Sequence, residues 1–206
     1  QSSATMIQHQ SLHTPHGTLY GQLELPETAR NLVFLARSHH TAADVSISAE
    51  LARLGHAVFS MDLLTAQESS FPDATQNVPK LTQRFFEIID FALRNLNLDG
   101  LPIGIFAFGD TAPAAIRVAA QRDLLIKSMV LHGGMIDRAG KQSLQLLVAP
   151  LLIVLDADDE PALQSCQRAV QYLSANHRTA TVEIPGDATR LAAEWFEQNL
   201  PFADKG

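Results

Sequence analysis

Cysteine is almost absent from this 206-residue chain, since Cys166 is its single thiol. An internal disulfide is therefore excluded. This cysteine usage is typical of a reducing compartment, so we expect a cytoplasmic location. Cys166 falls within a predicted helix and away from any strand-to-helix turn. We interpret it as a small buried thiol and not as a nucleophile.

Positive charge is also scarce. The chain has 15 lysine and arginine residues against 22 aspartate and glutamate residues, which gives a formal net charge of −7. The basic residues form no cluster, so nucleic acid and anionic membrane surfaces are not expected as partners. No apolar run approaches the about 18 residues of a membrane span. No signal-peptide pattern is present either.

Motifs for cofactors and metals are missing as well. The pair Gly133-Gly134 lacks the lysine of a P-loop and the third glycine of a dinucleotide fingerprint. His9 and His13 have a ligand-like spacing, but on a strand they would lie about 13 Å apart, too far to share one ion. A divalent-ion site at one sheet edge is conceivable from side chains predicted at strand ends: His39, His40, His132, Asp62 and Asp156. Exposed or hydrogen-bonded histidines are the favoured interpretation, and we predict no metal and no cofactor.

Short apolar runs alternate with helical patterns along residues 6–206, without a linker or a repeat. Two segments of alternating polarity, Met6–His13 and Gly17–Leu25, flank a turn sequence and predict an antiparallel hairpin. Nearly continuous apolar runs, typical of strands buried on both faces, lie at 31–36, 57–62, 102–108, 127–132 and 151–156, and a last strand is predicted at 180–184. Helices are predicted at about 43–54, 78–96, 111–120, 161–175 and 188–200. The pattern predicts one α/β domain with a mostly parallel, doubly wound sheet; residues 1–5, before Met6, are a candidate expression remnant.

The segment Pro102–Ile116 (PIGIFAFGDTAPAAI) indicates a buried strand, a tight turn and then a helix. This is the shape of a nucleophile elbow, in which a Ser, Cys or Asp sits on a strained turn with small residues two positions to either side. The central position here is Gly109, flanked at those distances by Ala107 and Thr111. A glycine tolerates the strained backbone, but it has no side chain with which to attack a carbonyl.

Several motifs in consistent order over roughly residues 18–200 resemble the dienelactone hydrolase-related branch of the α/β-hydrolases. The resemblance is to the small proteins often fused or adjacent to phosphoribosyltransferases. The matching motifs are Asp62–Thr65 (DLLT), Ile103–Phe106 (IGIF), His132–Gly134 (HGG), Ala149–Val154 (APLLIV) and Pro185-Gly186. The resemblance implies an α/β-hydrolase fold whose nucleophile, acid and histidine follow successive strands in that chain order. The stretch 133–149 is too short to hold a cap domain.

The departures from the family pattern concern the catalytic triad. The family places its nucleophile five positions after the strand glycine, and counting from Gly104 gives Gly109. The family histidine follows the Pro-Gly pair, where this chain has Thr189 and Arg190. A guanidinium stays protonated near neutral pH and cannot act as a general base. Two triad positions are therefore lost together, which predicts a degenerate triad.

The two remaining candidate catalytic residues are carboxylates. Asp110 could act as a displaced nucleophile, but Phe108 would then occupy a position that needs a small residue. The alternative is that Asp110 caps the following helix. Asp158 or Asp159 matches the acid loop of the family. The alternative is that Asp158, Asp159 and Glu160 cap the helix that begins at Pro161.

The candidate ligand-binding residues lie around the expected elbow: Arg37, His39, His40, Gly109, Asp110, Thr111 and Arg190. Arg190, with Arg37, could hold a carboxylate or a phosphate. We predict that the chain binds a small, preferentially anionic ligand, or a partner, in the former active-site cleft. One alternative is an active ester or lactone hydrolase that uses Asp110 with Asp158 or with the histidines at 39 and 40. The other is a structural role, for example in a homo-oligomer.

Overall fold

The predicted strands and helices are present in the predicted order, together with two short helices that the sequence did not predict. The structure is a computed structural model that describes residues 5–203, so residues 1–4 of the candidate expression remnant lie outside the described residues. The strands are β1 (Thr5–Thr14), β2 (Gly17–Pro26), β3 (Asn31–Arg37), β4 (His56–Asp62), β5 (Ile103–Phe108), β6 (Ile126–His132), β7 (Leu151–Asp156) and β8 (His177–Val182). The helices are α1 (Ala42–Arg53), α2 (Ala66–Ser69), α3 (Val78–Asn95), α4 (Ala112–Gln121), α5 (Lys141–Leu146), α6 (Glu160–Val170) and α7 (Asp187–Asn199).

The eight strands form one sheet in the order β1-β2-β4-β3-β5-β6-β7-β8. The predicted hairpin of β1 and β2 is antiparallel and joins β4 in antiparallel fashion. The strands from β4 to β8 are all parallel, so their carboxyl ends share one edge. The predicted doubly wound sheet with an N-terminal hairpin is confirmed.

The sheet carries an apolar layer on each face because successive strand side chains alternate between the two faces. One layer contains Phe34, Phe59 and Ile105 with the apolar sides of α3 and α4. The other contains Phe106 and Val130 with α1 and α7. Because the central strands are covered on both faces, nearly all of their residues are apolar, which explains the continuous apolar runs in the sequence.

Two elements differ from the prediction by more than one residue. The last strand, His177–Val182, starts three residues and ends two residues earlier than predicted, because β8 is an edge strand whose exposed residues carry little apolar signal. Helix α6 ends at Val170, and the next residues form tight turns, with the Tyr172 amide donating to the Ala169 carbonyl at 3.0 Å. Between β6 and β7 the chain forms only a 3-10 turn and α5, so no cap domain covers the sheet edge.

No helix among residues 5–203 combines the length and the apolar character needed to cross a membrane.

Candidate functional site

The elbow lies where β5 meets α4. Gly109 has φ +54°, a left-handed backbone that glycine adopts without the steric cost of a side chain. A Cβ built on Gly109 would meet no atom within 4 Å, so the place of a nucleophile side chain is open space. The turn therefore has the left-handed backbone expected of a nucleophile elbow, and its central residue has no side chain.

Gly134, in the loop after β6, lies against this turn. A Cβ on Gly134 would overlap the carbonyl oxygen of Gly109 and approach the Ala112 Cβ to 3.0 Å. Gly134 also has φ +88°. Only glycine permits this approach, so the loop after β6 helps to position the elbow.

Thr111 and Asp110 do not take the places that the sequence predicted. Thr111 is fully buried, and its hydroxyl lies 2.8 Å from the Phe108 carbonyl oxygen and 3.0 Å from the Ala36 carbonyl oxygen. It ties the elbow to β3 and is not open to a ligand. Asp110 is exposed and does not cap α4, whose N-cap residue is Thr111.

A cleft of about 420 Å³ opens beside the elbow at the carboxyl edge of the sheet. Its lining comes from the ends of three strands and the starts of two helices: Arg37, Ala43, Ser46, Ile47, Phe108, His132, Pro185, Gly186 and Thr189. Thr189 is one of the two residues, with Arg190, at which the resemblance predicted the family histidine. Arg37 is thus a predicted ligand-binding residue that the structure places in the cleft.

Arg37 is held in place by two contacts. Its Nε donates to the Asp44 carboxylate at 2.7 Å, and its guanidinium lies 3.9 Å from the centre of the Phe108 ring. Asp44 is itself buried and accepts the Thr41 amide at the start of α1. Stacking and ion pairing together fix the guanidinium plane, which favours recognition of planar or tetrahedral anions.

His132 and Asp156 form a pair on the same edge. The His132 Nε2 lies 2.8 Å from the Asp156 Oδ1, and the imidazole centre lies 5.9 Å from the centre of the Phe108 ring. The sequence indicated both residues only as conceivable metal ligands, because both end neighbouring parallel strands. The structure makes them a hydrogen-bonded pair at the cleft.

His40 and Asp62 line a neighbouring pocket of about 260 Å³, and the Nδ1 of His39 lies 3.8 Å from the Asp62 carboxylate. The Asp62 carboxylate accepts both the backbone amide of His40, at 2.7 Å, and its imidazole, at 2.6 Å. His39 is more exposed and contacts the Ser69 hydroxyl. The two histidines therefore do not join Arg37 and the elbow in one cleft.

Arg190 lies outside the cleft. Its side chain is 61% exposed, pairs with Glu194 at 3.3 Å and lines a charged surface groove with Arg30 and Glu197. Arg190 and Arg37 therefore line two different depressions, which share Gly186 and Thr189.

The aspartates at the end of β7 and in the loop after it have different roles. Asp159 caps α6 by accepting the Ala162 amide at 3.2 Å, as one of the sequence-based alternatives proposed. Asp158 is exposed to solvent. Asp156, at the end of the strand itself, is the carboxylate that contacts a histidine.

Among residues 5–203, no group of three or more histidine, cysteine, aspartate and glutamate side chains is arranged to hold a metal ion. Cys166 is buried in α6, and this burial raises the pKa of its thiol, so less of the reactive thiolate is present near neutral pH.

This arrangement can be compared with known structures. The dienelactone hydrolase from Anabaena variabilis superimposes with a TM-score of 0.84 and 25% identity over 95% of this chain and 99% of that chain. The chain has the α/β-hydrolase fold. A cold-adapted esterase from an Arctic intertidal metagenomic library shares that fold at a TM-score of 0.77 and 16% identity, over 95% and 94% of the two chains.

The curated relatives carry a different name. Two Mycobacterium tuberculosis proteins named as phosphoribosyl transferases, from strains CDC 1551 and H37Rv, are each 28% identical over 194 residues. The match covers 87% of this chain and 44% of each relative, so the chain spans less than half the length of the relatives. No family model matches the chain. These comparisons confirm the resemblance to dienelactone hydrolases and to the phosphoribosyltransferase-associated branch that the motifs indicated.

Proposed function

We propose that this α/β-hydrolase-fold protein binds a small anionic ligand in the cleft beside Gly109, without forming a covalent intermediate at the elbow. The proposal depends on one observation: the nucleophile position is a glycine with open space around it, and it directly follows Phe108, which lines the cleft. A fold of this type is not by itself a function, so the ligand class has to come from the cleft residues.

Arg37 supports the anionic class. Its Nε is bound by Asp44, and its two Nη groups have no hydrogen bond within the described residues. The side chain is 25% exposed, so these amino groups are reachable from the cleft. Two parallel N–H donors on a fixed guanidinium match a carboxylate or a phosphate.

The first prediction concerns anion binding. Arg37→Lys keeps the charge and can still pair with Asp44, but it loses the planar pair of donors, so we expect the affinity for succinate to fall about tenfold or more. Calorimetric or NMR titrations of wild type and Arg37→Lys with succinate, acetate and inorganic phosphate measure these affinities. The name of the M. tuberculosis relatives makes ribose 5-phosphate a useful additional probe.

Arg190→Lys is the matched control, because that arginine lies on the exposed groove and should leave the affinity unchanged. If Arg190→Lys weakens binding and Arg37→Lys does not, the anion binds in the groove of α7 and the proposed cleft is wrong. If none of the four anions binds, the anionic class is wrong.

The second prediction concerns covalent chemistry. A fluorophosphonate probe reacts with activated serine nucleophiles, and we expect no adduct on the wild-type protein by intact-mass spectrometry, because position 109 has no side chain. For the displaced-nucleophile alternative, Asp110→Asn should leave any hydrolysis of p-nitrophenyl acetate unchanged. Loss of that activity in the folded variant would favour Asp110 as a nucleophile and contradict the proposal.

A further inference from the structure

His132 and Asp156 form a hydrogen-bonded pair at the cleft that the proposed function does not use. The two residues end the neighbouring parallel strands β6 and β7, in which His132 is in register with Val154. Asp156 lies two residues beyond Val154 on the same strand face, and its carboxylate reaches the imidazole at 2.8 Å. A carboxylate that holds one nitrogen of a histidine orients the ring and stabilises the imidazolium.

The second ring nitrogen of His132 is available to a ligand. Nε2 is bound to Asp156, and Nδ1 has no hydrogen-bond partner within residues 5–203 and is not a fully buried atom. The side chain is 14% exposed and lines the cleft. With Nε2–H donating to Asp156, the lone pair is on Nδ1.

The cleft that His132 lines, with a volume of about 420 Å³, has room for a water molecule beside a small ligand. His132 is in register with Phe108, the residue before Gly109, and their rings are tilted neighbours. Two residues after His132, Gly134 packs against the Gly109 carbonyl. His132 therefore lies beside the elbow turn, and a water bound in the cleft can lie next to its imidazole.

We propose that His132 is a general base that activates this water to hydrolyse an ester bound in the cleft, with Asp156 as its positioning residue. This activity rests on the proposed function, because Arg37 would anchor the anionic part of the substrate. It differs from the serine mechanism in that the acyl group is never attached to the protein.

The step balances without a further reactant. His132 Nδ1 takes a proton from water while the water oxygen forms a bond to the ester carbonyl carbon. The tetrahedral intermediate then collapses, the bond from carbon to the alcohol oxygen breaks, and the imidazolium returns the proton to that oxygen. The products are a carboxylic acid and an alcohol, and His132 ends neutral.

The test compares wild type with His132→Gln on p-nitrophenyl acetate and on the half-ester p-nitrophenyl hydrogen succinate. Glutamine can still bond to Asp156 but is not a base, so we expect kcat to fall about 100-fold or more. His177→Gln is the matched control, because His177 is the first residue of β8 and lies at the amino ends of the parallel strands, away from the cleft. This variant should keep the wild-type rate. Acid-quenched wild-type protein should carry no acyl adduct by mass spectrometry.

A kcat-against-KM comparison tests the positioning residue. We expect Asp156→Asn to lower kcat at least tenfold with little change in KM, which a loss of binding would not produce. Circular dichroism of the same samples shows that the variant is folded, which excludes a smaller active fraction as the cause. Equal rates for wild type and His132→Gln, an acyl adduct, or no hydrolysis of either ester would each overturn the inference. If hydrolysis is absent while succinate still binds through Arg37, the proposed function stands and only the activity is wrong.

Discussion

Replacing Arg84 by methionine is expected to lower the free energy of unfolding by about 3–5 kcal/mol, because it leaves a buried carboxylate without its main partner. Arg84 on α3 donates to both oxygens of Glu68, at 2.9 and 2.8 Å, and also to the Leu63 carbonyl. Both side chains are almost fully buried. Methionine fills similar volume but supplies no hydrogen-bond donor.

The pKa of Glu68 shows how strongly the pair is coupled. Burial alone raises this pKa, but hydrogen bonds from Arg84, the Thr65 amide and Lys80 outweigh burial and lower it to about 2 from an ordinary 4.5. A carboxylate with a depressed pKa stabilises the fold above its unfolded pKa. That contribution, about 3 kcal/mol, should disappear as the pH falls from about 4.5 towards 2.

Urea unfolding at pH 7 and at pH 3 measures both effects. Arg122→Met is the matched control, because Arg122 pairs with Asp90 at 3.5 Å on the surface and both side chains are well exposed. We expect the control to cost less than about 1 kcal/mol. If both variants lose a similar free energy of unfolding, the buried pair is no stronger than a surface pair. The same conclusion holds if the loss in Arg84→Met is equal at the two pH values.

The Glu68 network matters for the site because it fixes the loop after β4. Glu68 accepts the Thr65 amide at 3.0 Å, and the Thr65 hydroxyl donates to the His16 carbonyl in the hairpin turn at 2.9 Å. Ser69, the next residue, contacts His39. Loss of the ion pair should therefore loosen the segment around His39 and the neighbouring pocket of His40 before it affects the cleft of Arg37.

The fold was predictable because its signal is spread over many residues. Six of the eight strands lie between others in one sheet, and the buried ones read as apolar runs that need no long-range information. The edge strand β8 is the instructive exception. One side of it faces solvent, so tertiary pairing with β7 and not local sequence decides where it begins.

The site was only partly predictable, because single positions decide it. A step of one residue turns a helix by about 100°, which is why Thr189 and not Arg190 faces the cleft. The end-of-strand positions of His132 and Asp156 placed them on one edge, yet only the register of β6 with β7 brings them into contact. Thr111 has the polarity of a ligand contact, and only the close packing of β3 shows that it is interior.

The second large effect concerns the elbow itself. Gly134→Ala is expected to destabilise the protein by roughly 2–5 kcal/mol, about 1–2 from the left-handed backbone and about 1–3 from overlap with a packed neighbour. The neighbour is the Gly109 carbonyl, which is part of the elbow turn and cannot move aside like a flexible side chain. Any relief of the overlap must shift the elbow away from the loop after β6.

Gly109→Ala separates the two contributions. Its φ of +54° carries a similar backbone cost, but its new Cβ would meet no atom within 4 Å. We therefore expect Gly109→Ala to cost only about 1–2 kcal/mol in urea unfolding and to keep the rest of the cleft in place. Gly134→Ala should also weaken succinate binding, because the displaced elbow carries Phe108 and with it the surface on which Arg37 stacks. Equal stabilities for the two variants would mean that the loop after β6 yields freely, and the elbow would then not depend on Gly134 for its position.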